Sequence, residues 1–181
     1  MRSSGHTGLD LDCFLPYRLS VLSNRVSNAI ARHYSEQFEL SIPEWRVMAV
    51  LGQTSGLSAG EVARRTEMDK VQVSRAVTNL VRRRRVQRTF DSNDGRVTRL
   101  ALTARGRAIY EKIVPQALDL EEQFLAILAP EERAVFDRLI GKLSGAAFPD
   151  RGLRISAQEV HAEARRRGRW QLVDDPLKSL P

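Results

Sequence analysis

Apolar residues recur at helical spacing along most of the chain, and short polar signals mark where the helices begin. A capping box sets a Ser, Thr or Asp side chain on the amide three residues later, while a Glu or Gln at that position reaches back. Ser41–Glu44, Ser58–Glu61, Asp69–Gln72 and Ser156–Glu159 fit this pattern. Each is flanked by an apolar staple pair: Leu40/Trp45, Leu57/Val62, Met68/Val73 and Ile155/Val160. The spacing predicts helices over Pro16–Phe38, Pro43–Thr54, Ala59–Thr66 and Lys70–Arg84, with Ser55-Gly56 stopping the second. The period then changes from helical to alternating. Val86–Phe90 and Val97–Leu102 alternate apolar and polar residues around Asp91-Ser-Asn-Asp-Gly-Arg96, which predicts a β-hairpin. Thr103 is placed to cap a fifth helix reaching Leu128, which Pro115 should kink or interrupt. Pro130-Glu-Glu opens a sixth helix to about Leu143, closed by Gly145 and Pro149. Beyond Phe148 a turn and a short helix over Ala157–Arg167 are expected.

Composition narrows this picture. The 181 residues are 42% hydrophobic, enough for a packed core, and the longest uncharged stretch, Val47–Gly60, falls short of a membrane span. Asp10 and Asp12 and the lack of a long apolar segment argue against a signal peptide, so a cytoplasmic protein is expected. A single cysteine, Cys13, excludes an internal disulfide framework and a CxxC zinc site. His6, His33 and His161 are far apart in sequence. No catalytic triad, metal cluster, Walker loop or GxGxxG fingerprint is present, so neither an enzyme nor a cofactor is expected.

Charge changes the picture most. The net charge is +7, and all of the excess lies between Ser58 and Arg105, where twelve basic residues stand against five acids. Concentrated positive charge of this kind suits a polyanion. Two short helices followed by a hairpin in this window form the pattern of a winged helix-turn-helix. The fold class expected is therefore mostly α with a small β-hairpin wing, the winged helix-turn-helix being joined to further helices. In the fourth helix Val73, Val77 and Leu80 share one face. The opposite stripe carries Val71, Ser74, Arg75, Thr78 and Arg82, flanked by Lys70 and Gln72. Arg pairs with guanine, Gln with adenine, and Ser or Thr with either bases or phosphates, while Val71 suits a thymine methyl. Arg82–Arg85, at the far end, suit phosphate or solvent. Arg96 at the wing tip either enters a minor groove or pairs with Asp91 or Asp94 to shape the loop.

These segments resemble the MarR family of bacterial transcriptional regulators. The resemblance rests on Ile42-Pro-Glu-Trp-Arg-Val-Met-Ala-Val-Leu51, Leu57-Ser-Ala-Gly-Glu-Val-Ala63, Met68-Asp-Lys-Val-Gln-Val-Ser-Arg75 and Asp91-Ser-Asn-Asp-Gly-Arg96, and spans about Phe14 to Leu143. It implies a homodimer on a pseudo-palindromic DNA duplex. It also implies a division into an arm and first dimerisation helix (1–40), a winged helix-turn-helix (41–103), C-terminal dimerisation helices (104–147) and an extension (148–181). Ser58 joins the stripe residues and Arg96 as a DNA-contact candidate. Two departures stand out. Arg84 occupies the position of a usual glycine, so the helix either ends in a strained left-handed cap or runs on into the strand. Ala129 occupies the position of a helix-capping Ser or Asp.

Family members are commonly repressors released by small aromatic or anionic ligands held between the first, second and fifth helices. The corresponding candidates are Tyr17, Arg18, Ser20, Asn24, Arg25 and His33 on the first helix, with Trp45 and Arg46 on the second. An Arg pairs with a carboxylate and an aromatic wall holds a ring. Trp45 equally suits the core, and Arg18 and Arg25 equally suit solvent. The effector expected is an aromatic acid or its coenzyme A thioester. Leu11-Asp-Cys-Phe-Leu-Pro-Tyr17 is similar to the reactive-cysteine region of hydroperoxide-sensing members, which makes Cys13 a redox candidate. Its acidic neighbours oppose a lowered thiol pKa. Effector-independent nucleic-acid binding is the third reading. Arg165–Arg169 and Trp170 in the extension are placed to touch DNA, a partner subunit or solvent.

Overall fold

The computed structural model describes residues 9–90 and 98–146. The element order is α1 (Leu15–Phe38), α2 (Ile42–Gln53), α3 (Ala59–Thr66), α4 (Lys70–Arg82), β1 (Val86–Phe90), β2 (Thr98–Leu102), α5 (Ala104–Leu125) and α6 (Pro130–Ala146). The described residues fall into two compact units divided after Glu122.

The helix starts follow their sequence signals. Ser41 and Ser58 each accept the amide of the residue three positions on, and Glu44 and Glu61 return to the cap amides. At α4 half of the expected box forms, with Asp69 Oδ1 accepting from the Gln72 amide at 2.8 Å. Thr103 caps α5 by accepting from the Gly106 amide at 3.0 Å. Ahead of α6, the Ala129 amide donates to Glu132 Oε2 at 2.8 Å, so the return arm works where the capping hydroxyl is missing. The box expected at Ser156–Glu159 and the helix over Ala157–Arg167 lie outside the described residues.

Three boundaries correct the sequence reading. The fourth helix stops at Arg82, not Arg84. The Arg84 amide bonds to the Val81 carbonyl and the Arg85 amide to the Leu80 carbonyl, both at 2.9 Å, with Arg84 at φ 55°. This is a Schellman stop, which needs one left-handed residue. Pro115 lies inside α5 without interrupting it, and α5 ends at Leu125 rather than Leu128. Gly145 lies within α6 rather than closing it.

The core of the first unit gathers the inward faces of the short helices. Val47, Met48 and Leu51 of α2, Val62 of α3 and Val73, Val77 and Leu80 of α4 are buried with Val86 and Leu100 of the hairpin. Tyr34 and Leu40 close it from the α1 side and Ile113 from α5. β1 and β2 pair antiparallel from Val86↔Leu102 to Phe90↔Thr98. The α2–α3 connection adds a bridge: the Gly56 amide donates to the Leu100 carbonyl, and the Leu100 amide to the Leu57 carbonyl. Nothing in the local sequence pattern signals this contact, yet it fastens the hairpin to the helix-turn-helix.

Candidate nucleic-acid interface

α4 separates into two faces as its spacing requires. Val73, Ala76, Val77 and Leu80 are buried. Lys70, Val71, Gln72, Ser74, Arg75, Thr78 and Arg82 are all exposed on the other side. Val71 is 58% exposed although nothing solvates a valine well, so its outward position is a cost that a contacting surface would remove. Arg82 Nη2 donates to Asn79 Oδ1 at 3.2 Å, which holds its guanidinium along the helix. Lys70, Gln72 and Ser74 occupy the first turns, the part of a recognition helix that meets base edges.

Ser58 has a different setting from the rest. It is half-buried, its hydroxyl donates to Glu61 Oε2 at 2.7 Å, and Ser58 Oγ accepts from the Glu61 amide. Its local role is to start α3. The Ser58 backbone and hydroxyl bonds, then Arg99 and Arg64, hold the Glu61 carboxyl below the ordinary carboxylate range. Arg99 Nη1 reaches Glu61 Oε2 at 3.2 Å, so an ion pair links β2 to the start of α3. Arg96 lies outside the described residues, as do Asp91 and Asp94. On β1, Arg88 and Phe90 are exposed.

The four consecutive arginines do not share one environment, contrary to their reading as a single phosphate- or solvent-facing group. Arg82 and Arg84 are exposed. Arg83 Nη1 instead pairs with Glu39 Oε2 at 3.1 Å and also donates to the Glu39 carbonyl, tying the end of α4 to the end of α1. Arg85 is 4% exposed, and its Nε and Nη1 are buried without a hydrogen-bond partner. The cause is the Schellman stop, which carries the residue after the left-handed Arg84 back onto the last turn of the helix.

The effector candidates divide. Tyr17, Arg18, Ser20, Asn24, Arg25 and His33 are exposed on α1. Arg46 is half-buried and donates to Ser27 Oγ at 3.3 Å. Trp45 sits in an aromatic row, its ring 5.5 Å from Tyr34 and 6.0 Å from Tyr110. The sequence pattern does not signal the meeting of Tyr34 and Tyr110 with Trp45, because only tertiary contact brings α1, α2 and α5 together here. Arg107 stands 5.6 Å over the Tyr110 ring and donates to the Gly52 carbonyl. Burial pushes the Tyr34 hydroxyl up to about 12, partly opposed by Arg46. Cys13 is exposed in the turn before α1. Among the described residues no helix is long and apolar enough to cross a membrane, and no His/Cys/Asp/Glu group is arranged for a metal.

Comparison with known proteins agrees with this architecture. Residues 38–97 match the MarR family profile. The transcriptional repressor Rv2887 of Mycobacterium tuberculosis is 29% identical over 131 residues, covering 72% of this chain and 91% of the relative. The PcaV regulator of Streptomyces coelicolor, solved with its natural ligand, superposes with a TM-score of 0.63 and 27% identity over 78% of this chain and 99% of that one. The S. aureus MepR–DNA complex shares the fold at a TM-score of 0.66 and 21% identity, covering 74% and 98%. These relatives are regulators, not enzymes. The winged helix-turn-helix with its basic outward reading face lies where the MarR family match falls, and the chain is similar there to MarR-family DNA-binding transcriptional regulators.

Proposed function

We propose that the chain is a homodimeric repressor acting in the cytoplasm, which binds a pseudo-palindromic operator and is released by a small aromatic acid or its coenzyme A thioester. The observation that carries this reading is the outward face of α4, where Lys70, Val71, Gln72, Ser74, Arg75, Thr78 and Arg82 stand exposed over a fully buried opposite face. Ser58 and Arg96 would add contacts at the start of α3 and at the wing. α1, α5 and α6 would form the dimerisation region. The aromatic row of Tyr34, Trp45 and Tyr110 gives α1, α2 and α5 a ring-binding character, which supports an aromatic effector held with help from Arg18, Arg25, Arg46 or His33. PcaV, a relative solved with its natural ligand, lends the effector reading further support.

The test compares binding to duplex from upstream of the chain's own gene with binding to random duplex of equal length. A specific repressor prefers the first by about 10³-fold or more. Equal affinity would favour an effector-independent nucleic-acid-binding protein. A panel of phenolic acids and their coenzyme A thioesters then tests release. The exposure of Cys13 supports a second reading, a hydroperoxide sensor. DNA release by an organic hydroperoxide that disappears in Cys13→Ser would move that reading to first place.

A further inference from the structure

We propose that the cleft bounded by the end of α1, the α4–β1 turn and the first half of α5 binds a small organic anion, a carboxylate carried on an apolar body, with Arg85 as its central cation. The cleft encloses about 370 Å³. Arg85 lines it with Arg105, Lys112 and Glu39, the last paired with Arg83, while Phe38 and Ile109 supply apolar surface. This pairing of cations with a half-buried apolar wall is the composition that receives an amphiphilic anion.

The second observation is the state of Arg85 itself. The Schellman stop of α4 turns this side chain inward at a position that ordinarily takes an apolar residue in contact with the last helical turn. A guanidinium left there with Nε and Nη1 buried and unbonded is costly. The neighbouring acids are already engaged. Glu39 is held by Arg83, and Glu44 closes the capping box at Ser41. Burial first, then Arg83 and Arg105, lower the Arg85 pKa against the opposing pull of Glu44 and Glu39. A carboxylate entering the cleft sets a negative charge beside the Arg85 guanidinium. An adjoining cleft of about 250 Å³, lined by Arg82, Arg83 and Arg84, extends the positive field over the end of α4.

This site is separate from the α1 and α2 residues assigned above to the effector. Arg85 follows the left-handed stop of α4 and bonds back to its last turn, so occupancy by an anion drawn to Arg85 is coupled to the placement of α4. That coupling to DNA rests on the repressor reading, whereas the site itself does not.

The test uses benzoate as probe and benzamide as its neutral counterpart, with calorimetric titration of the full chain. Binding of benzoate but not benzamide is expected, weakened about tenfold or more in Arg85→Met. Methionine suits an apolar cap position, so this variant keeps the fold. Arg105→Ala, a change at an exposed side chain, is expected to weaken binding severalfold. No benzoate binding at millimolar concentration, or binding unchanged in Arg85→Met, would overturn the proposal. So would binding that survives Arg85→Met and is lost in Arg25→Ala. A parallel DNA-release assay separates the two readings. Benzoate that binds through Arg85 without releasing DNA sustains the site and removes the effector reading. Release undiminished in Arg85→Met removes the coupling of this site to DNA and leaves that reading standing.

Discussion

Arg75 and Arg84 show how neighbouring residues of one type serve different ends. Arg75 is exposed in mid-helix among groups suited to base edges, and nothing in the core depends on it. Arg75→Ala is expected to weaken operator binding by about 1–3 kcal/mol and relax preference at one base pair, with thermal stability unchanged. Anisotropy titrations on operator variants check this. A uniform loss across all sequences would instead assign Arg75 to the phosphates. Arg84 sits at φ 55°, where a side chain meets its own backbone. Arg84→Gly is expected to raise unfolding stability by about 1 kcal/mol, measured by denaturant titration. An unchanged or lowered midpoint would mean that the exposed Arg84 side chain makes a compensating contribution.

At the scale of elements, stability depends on a few joints between short helices and the hairpin. One is the union of β2 with the start of α3 through Glu61, Arg99 and the Ser58 cap. The folded-state pKa of Glu61 is lowered, chiefly by the Ser58 hydrogen bonds. Its contribution is therefore full above the unfolded carboxylate value and is lost as pH falls through the lower folded one. Wild-type unfolding stability is expected to decline more steeply toward acid than that of Glu61→Gln. Parallel pH profiles for the two proteins would remove Glu61 from the acid response. A second joint is the approach of α5 to the α4–β1 turn, where a Cβ on Gly106 would collide with the Arg85 backbone carbonyl. Gly106→Ala is expected to cost about 1–3 kcal/mol in denaturant titrations, through overpacking against a backbone that cannot rotate away. Retained stability would show that α5 shifts freely.

At the scale of the whole molecule, the question is what the remaining apolar surface contacts. In α6, Phe136, Leu139, Ile140 and Leu143 are exposed at spacings of three and four, which sets them on one helical face. α1 likewise exposes Leu15, Leu19 and Leu22. Stripes of this kind mark association surfaces. In the proposed repressor they join two copies so that two α4 helices reach half-sites one turn of DNA apart. Sedimentation at micromolar concentration is expected to show a dimer, and Phe136→Glu with Ile140→Glu a monomer whose specific DNA affinity collapses. Tight operator binding by that monomer would sink the two-site arrangement.

Much of the fold was legible along the chain because its signals are local. Capping boxes, staples and a change of period lie within a few residues, so α3 and β1 matched their expected bounds and α1 and α2 shifted by one residue. The outward stripe of α4 followed from its period alone. Other features depended on groups distant in sequence. The end of α4 was ambiguous because Arg84 favours neither choice locally, and the turn back to the hairpin settled it. Pro115 leaves α5 unbroken although proline usually disrupts a helix interior. The four arginines read identically as letters. Their differing fates come from Glu39 meeting one of them and from the chain reversal that buries another. Burial and charge pairing are properties of three-dimensional neighbourhoods, and the cleft at Arg85 exists only where α1, α5 and that reversal converge.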